Sequence, residues 1–330
     1  MKKWVVSLSV ATTMMALAAC GAGDEEGEPA DDAGGDDEEV EEETEDDDEG
    51  EDENGEEAAG DYDVDELTMG FVPSQDADEI ATTVEPLAER LEEELGVEID
   101  AEVMVDYSGL VEGMRTQSID IGFLPPFGFV QAEERADVDV LLKALREDED
   151  SYLAQFNVAA DSDIEDIDDV VNAEPGELTW AYGDVTSTAG YLFPASHLMD
   201  LGVDVEEHFV ETTVGGHDNA IQAVLDGQAD IATSFDDARD NFEDENPDIY
   251  DEIEVIEYTD PIPNDTISVR SEMDEGLKDD IVDIFLSFND DEEMLEVLDE
   301  VYNWDGITEA DSEDYDIVRE TYERFEDVVE

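Results

Sequence analysis

Cysteine occurs once in this chain of 330 residues and histidine three times, while lysine and arginine together number 12 against 103 aspartates and glutamates. Each scarcity excludes something. A lone cysteine forbids an intramolecular disulfide. With so few histidines there is no His/Cys set spaced for a metal, and no cofactor is expected. A formal net charge of −91 makes a surface that repels nucleic acid and anionic head groups, so neither is a partner. No Gly-x-Ser-x-Gly elbow and no Gly-Lys-Ser phosphate loop occurs, so no nucleophile or nucleotide motif argues for an enzyme. Paired acids abound, but in such a composition their spacing carries no information.

What is present still makes a globular protein. Hydrophobic residues are 40% and charged residues 35%, enough for a core under a carboxylate-crowded surface, and the length suits roughly two domains. Such a surface fits a halophilic setting, since at about 1 M salt the Debye length falls to about 3 Å and the carboxylates hardly feel one another. A calcium-binding role is the alternative, but no twelve-residue Asp/Asn loop with a central glycine and a closing glutamate appears.

The first 20 residues read as a signal peptide rather than as part of the fold. Lys2 and Lys3 precede an apolar stretch, Trp4 to Ala16, which is too short to span a bilayer. Leu17-Ala18-Ala19-Cys20 and then Gly21 resemble a bacterial lipobox, whose cysteine becomes the acylated first residue. The expected location is therefore the extracytoplasmic face of the cell membrane, held by a lipid anchor on Cys20. Residues 21–63 are mainly Asp, Glu, Gly and Ala without a basic residue. They have almost nothing to bury and are expected to form a disordered acidic tether.

The folded part is expected from residue 64. Leu67 to Val72 reads as a strand. Ile80, Val84, Leu87, Leu91 and Leu95 keep helical spacing up to Gly96, with Pro86 either kinking that helix or starting it late. Strands at Val97–Val103, Ile119–Leu124 and Val138–Leu142 alternate with helical stretches. A second round follows, with strands at Leu178–Tyr182, Ile231–Ser234 and Ile253–Tyr258 and helices at Thr188–Leu201 and Asn219–Leu225. Two such rounds predict two α/β lobes of parallel or mixed sheets flanked by helices. The extended stretches Tyr152–Ala159 and Thr266–Arg270 are the candidate crossing strands of a hinge. On this reading residues 64–155 and 264–330 form one lobe and 156–263 the other. Open α/β sheets bind ligands beyond the carboxyl ends of their strands.

Eight stretches spread over the chain, from Gly70-Phe71-Val72-Pro73-Ser74 and Asp106-Tyr107 through Asp120 to Pro126, Ser187 to Leu192, Gly216-His217-Asp218, Asp230-Ile231-Ala232, Asp236-Asp237-Ala238-Arg239 and Ile262-Pro263-Asn264-Asp265, follow one family's order. In them the chain resembles the phosphate, phosphite and phosphonate binding proteins of ABC importers. The resemblance implies a two-lobed periplasmic-binding-protein fold of type II, capture of a phosphonate or related phosphorus oxyanion by lobe closure, an ABC transporter permease as partner, and no enzymatic activity. Phosphate or phosphite as ligand, and a sensor rather than a transport role, remain alternatives within that class.

The resemblance also implies site residues. An oxyanion needs hydrogen-bond donors, and Ser187-Thr188-Ala189-Gly190 follows a strand and opens a helix, which suits it; as residues alone, Ser187 and Thr188 read first as an ordinary helix cap, and the resemblance is what makes them ligand contacts. Ala189 stands where the family often has a second serine. Tyr107 is an expected phenol donor, although a core tyrosine reads the same. Phe129 stands where the family commonly has tyrosine and is expected only to wall the pocket. His217 is an expected donor. Asp265 and Asp237, with Asp236 as an equal rival, stand where family members that bind an aminoalkylphosphonate pair with its ammonium. Among the basic residues only Arg239 falls within these motifs, so binding is expected to rest on neutral, directional donors.

Overall fold

A computed structural model describes residues 62, 64–243 and 246–324. The expected signal peptide, Cys20 and nearly all of the acidic tether lie outside the described residues. The core is built on two mixed sheets. In the six-stranded sheet the order is Gly306–Glu309, Val138–Leu145, Thr266–Arg270, Ile121–Leu124, Glu66–Phe71 and Glu98–Val103. Glu66–Phe71 runs parallel to both neighbours, and the other pairings are antiparallel. The five-stranded sheet has the order Ile253–Tyr258, Ala154–Ala159, Ile231–Phe235, Leu178–Tyr182 and Phe209–Thr213, with Leu178–Tyr182 parallel to both of its neighbours.

The chain passes from the first sheet to the second at Ser151–Tyr152 and returns at Ile262–Pro263. These two short segments pair antiparallel, Tyr152 opposite Ile262 and Ser151 opposite Pro263. The expected crossing strands are thereby corrected. Ala154–Ala159 lies inside the second sheet, between Ile231–Phe235 and Ile253–Tyr258, and Thr266–Arg270 lies inside the first. Both are buried nearly throughout, and their polar side chains Gln155, Asn157, Thr266 and Ser268 are buried with hydrogen-bond partners.

Local rules account for much of the rest. The helical pattern around Pro86 is broken into Ala77–Thr83 and Glu85–Leu95, with Pro86 in the first turn of the second helix, where its missing N–H costs nothing. Gly96, at φ 68°, ends that helix. The excess of aspartate is put to use: Asp76, Asp106, Asp166, Asp204, Asp274 and Asp291 each cap a helix by accepting backbone N–H groups, where carboxylates also meet the positive end of the helix dipole. The late helices Glu275–Ser287 and Glu292–Tyr302 pack on Glu85–Leu95. In the first sheet's core Phe71 stacks on Phe123 at 4.4 Å and Phe123 on Trp304 at 5.8 Å. In the second, Trp180 stacks on Tyr191 at 5.3 Å and donates through its indole nitrogen to Thr233 at 2.8 Å. Among the described residues no helix is long and apolar enough to cross a membrane.

Candidate ligand-binding site

Segments that follow the carboxyl ends of parallel strands in both sheets enclose a cavity of about 40 Å³. After Glu66–Phe71 comes Ser74; after Ile121–Leu124 comes Pro125; after Leu178–Tyr182 comes the turn at Ser187. Hydrogen bonds between the two halves flank it. The backbone N–H of Phe127 donates to the Thr188 hydroxyl at 3.0 Å, and that of His217 donates to the Ser74 carbonyl at 2.8 Å.

Ser187 starts one wide turn, Thr188–Leu192, of π-helical geometry, continued by the helix Phe193–Asp200. Such turns recur at functional sites. The Ser187 carbonyl accepts from both Tyr191 and Leu192 at 3.1 Å, so the N–H groups of Thr188 and Ala189 stand ahead of the first bond in the turn. The Ser187 hydroxyl accepts from the Gly190 N–H at 3.1 Å. A Cβ on Gly190 would lie 2.9 Å from that hydroxyl and 3.5 Å from the His217 ring, so a side chain there would separate the turn from the histidine. Ser187, Thr188 and Ala189 are all buried and line the cavity.

Tyr107 opens the helix Tyr107–Arg115, whose cap Asp106 accepts from the Gly109 N–H at 2.7 Å. Burial, with Asp184 adding to it, pushes the pKa of its phenol far up against an opposing pull from the nearby Ser187 side chain. The phenol therefore stays protonated and able to donate. His217 opens the helix His217–Leu225 and lies edge-on to Phe235, ring centres 5.1 Å apart. Burial, and then the nearby positive Arg146, hold its pKa down to about 3, so the imidazole is neutral and donates from one ring nitrogen only. Its Nδ1 is buried without a partner.

Asp265 lines the cavity and accepts from an Arg146 Nη at 2.8 Å and from the Trp304 indole at 3.4 Å. Burial lifts its carboxyl above the usual range against the opposing pull of Arg146 and Trp304. The preceding Asn264 fixes this loop by donating to the carbonyls of Ala144 at 3.0 Å and Glu149 at 2.9 Å.

Arg146 is the residue that sequence reasoning missed. It follows the strand Val138–Leu145, bonds to the Tyr302 carbonyl at 3.1 Å as well as to Asp265, and faces the rings of Tyr152 and Phe235 at 4.8 and 5.3 Å. Its Nε is buried and unpartnered, as is the Ser74 hydroxyl. Buried polar atoms ordinarily find partners. Ser74, Arg146 and His217, drawn from three distant parts of the chain, each bring an orphan polar atom to the residues around one cavity. The expectation of a site without a cation is corrected: a guanidinium lines it. Scarcity was the available signal, since only ten basic residues follow Lys3, and one that ends an apolar strand is a candidate.

Two further expectations are corrected. Phe129 does not wall the cavity. It is fully buried within the helix Pro126–Ala136 and packs edge-on against Tyr315 at 4.9 Å. Asp237 adopts φ 58°, and its exposed side chain lies in an outer groove, 3.6 Å from Arg239. Asp236 lines the same groove. Arg239 is also outside the cavity, bonded to the Ile253 carbonyl at 3.1 Å and set over the Tyr250 ring.

Two mixed α/β halves, joined by a short paired crossing and closed over a polar cavity, define a binding protein of the two-lobed type II periplasmic class. Residues 69–315 match the family described as the periplasmic substrate-binding protein of phosphonate ABC transporters, and the chain belongs to that family. It is a family of extracytoplasmic binding proteins for transport, not of enzymes. The chain is 28% identical over 234 residues to the phosphonates-binding periplasmic protein of Escherichia coli, covering 71% of this chain and 69% of that protein. It is 27% identical to the phosphate-import protein PhnD of Mycolicibacterium smegmatis, covering 52% and 55%. Among solved structures, PhnD1 of Prochlorococcus marinus in complex with methylphosphonate superposes with a TM-score of 0.71 at 21% identity, covering 80% of this chain and 99% of that one. A binding component of a phosphonate transporter from Pseudomonas aeruginosa gives 0.72 at 23%, covering 79% and 86%.

Proposed function

We propose that this chain captures a phosphonate or related phosphorus oxyanion in the Ser187–Ala189 cavity and delivers it to an ABC transporter permease, while a lipid on Cys20 holds it at the outer face of the membrane. The observation that carries the ligand class is the donor set. Ser187, Thr188, Ala189, Tyr107, His217 and Arg146, which carry hydroxyl, backbone N–H, phenol, imidazole and guanidinium donors, line one cavity. A tetrahedral oxyanion has acceptor oxygens in several directions, and such a shell of fixed donors matches it without bulk water. The relatives' names point the same way. Closure is read as a rotation at the Ser151–Tyr152 and Ile262–Pro263 ribbon, where only two short segments join the halves.

Two experiments test the reading. Titration calorimetry with phosphonates, phosphate and phosphite on the purified chain should give saturable binding to at least one of them. No heat and no thermal shift with any would remove the ligand assignment. Cys20→Ser, expressed in a bacterial host, should move the protein from the membrane fraction to the soluble one or leave an uncleaved precursor. Unchanged acylation would remove the anchor assignment.

A further inference from the structure

Arg146, Tyr152 and Phe235 line both the cavity and the neighbouring outer groove. On the groove side stand seven acids, Asp236 and Asp237 among them. On the cavity side the sole acid among the lining residues is Asp265, and the sole Lys or Arg is Arg146. The guanidinium, set against both rings and held by Asp265 and the Tyr302 carbonyl, is thus part of the partition between the two spaces. Its Nε, buried and unpartnered, is a donor left over once those bonds are made.

We infer that Arg146 sets the specificity of the site: the ligand is a small phosphorus oxyanion without an ammonium group, and Arg146 occupies the place such a group would need. The inference rests on the function proposed above. An ammonium inside the cavity would need a carboxylate free to pair with it. Asp265 already holds a guanidinium and an indole N–H, and a second cation beside it would face Arg146 in a poorly screened space. The other acids lie across the partition, beyond reach of a substituent that stays in the cavity. The pairing also keeps the buried site from carrying an uncompensated carboxylate against its own anion.

The test is competition calorimetry on the full chain with methylphosphonate, phosphite, phosphate and 2-aminoethylphosphonate. In the wild type at least one of the first three should bind tenfold or more tighter than 2-aminoethylphosphonate. Arg146→Met should weaken that ligand at least tenfold and narrow its lead over 2-aminoethylphosphonate by a similar factor, because Asp265 is released. Arg146→Lys keeps the charge without the Nε donor, so it should weaken the preferred ligand while still rejecting the ammonium compound. If 2-aminoethylphosphonate is the tightest wild-type ligand, the inference is overturned and the proposed function stands; this ranking needs no variant to fold. A lead unchanged in a folded Arg146→Met protein also overturns it. Failure of all four ligands to bind removes the proposed function, and the inference with it.

Discussion

The backbone N–H of His217 donates to the carbonyl of Ser74 at 2.8 Å, tying the head of a helix in one half of the molecule to the turn after the first strand of the other. The bond forms only when the halves are together, and it requires the unusual backbone of the residue before it. Gly216 sits at φ 79° and ψ 158°, a region open essentially to glycine alone. A Cβ there would lie 3.2 Å from the Ser74 oxygen. Gly216→Ala should therefore hinder closure and weaken ligand binding about tenfold or more. Calorimetry and small-angle scattering check this: affinity should fall and the contraction on adding ligand should shrink. An unchanged dissociation constant would show that the bond is incidental to closure.

The donors at the turn should carry much of the affinity. A hydrogen bond to a charged group is worth roughly 1.5–3 kcal/mol, which corresponds to a ten- to hundredfold change in the dissociation constant. Ser187→Ala and Thr188→Ala should each cost about that much, and Tyr107→Phe should do likewise. Thr188→Ala also removes the acceptor for the Phe127 N–H, so its loss should be the largest of the three. Arg239→Gln, outside the cavity, should leave affinity within about threefold. Titration of these four variants with the best phosphorus ligand is the measurement. Silent turn variants beside a damaging Arg239→Gln would relocate the site.

Acid should weaken the fold through His217. Its pKa is lowered from 6.5 to about 3 in the folded protein. Between those values the unfolded chain binds a proton that the folded one refuses, so stability falls as pH drops below about 6.5, by up to about 1.4 kcal/mol per unit. Asp218 runs the other way. Burial raises its carboxyl from 3.8 to about 6, so the folded state holds the extra proton in that window and acid favours folding there. Comparison with His217→Asn isolates the first effect. The stability difference between wild type and variant should be flat above pH 7, and the wild type should lose ground below about pH 6. Parallel curves down to pH 4 would show that the histidine is not held neutral.

Salt should stabilise the protein. With 103 acids against 12 basic residues, self-repulsion opposes the compact state, and salt screens it. The melting temperature should rise from millimolar to molar potassium chloride. A flat or falling curve would show that the surface carboxylates are already compensated.

Much of the site was legible only through the family resemblance. Local patterns place Ser187 and Thr188 at a strand-to-helix turn, Tyr107 after a capping aspartate and His217 after two glycines, but by themselves they read as a helix cap, a core tyrosine and a structural histidine; the resemblance marked them as contacts, and the structure brings all of them to one cavity with Asp265. Phe129 and Asp237 were misjudged on the same grounds. Position in a motif says which turn carries a residue but not which way its side chain points. Phe129 turns into a core completed by Tyr315, far along the chain, and Asp237 takes a left-handed backbone that directs it outward. The crossing ribbon was only touched, at Tyr152 where the first expected crossing strand began, because segments of two residues, Ser151–Tyr152 and Ile262–Pro263, have no periodicity to detect.

By itself the sequence determined the alternation of strands and helices, the aspartate caps, the carboxylate surface and the local turns, since each depends on residue type and near neighbours. Only the tertiary structure decided that Arg146 faces Asp265, 119 positions away, with Ser74 and His217 at the same cavity. Which of the few cations enters an acidic protein's anion site depends on distant segments meeting in space, and no spacing in the sequence records that.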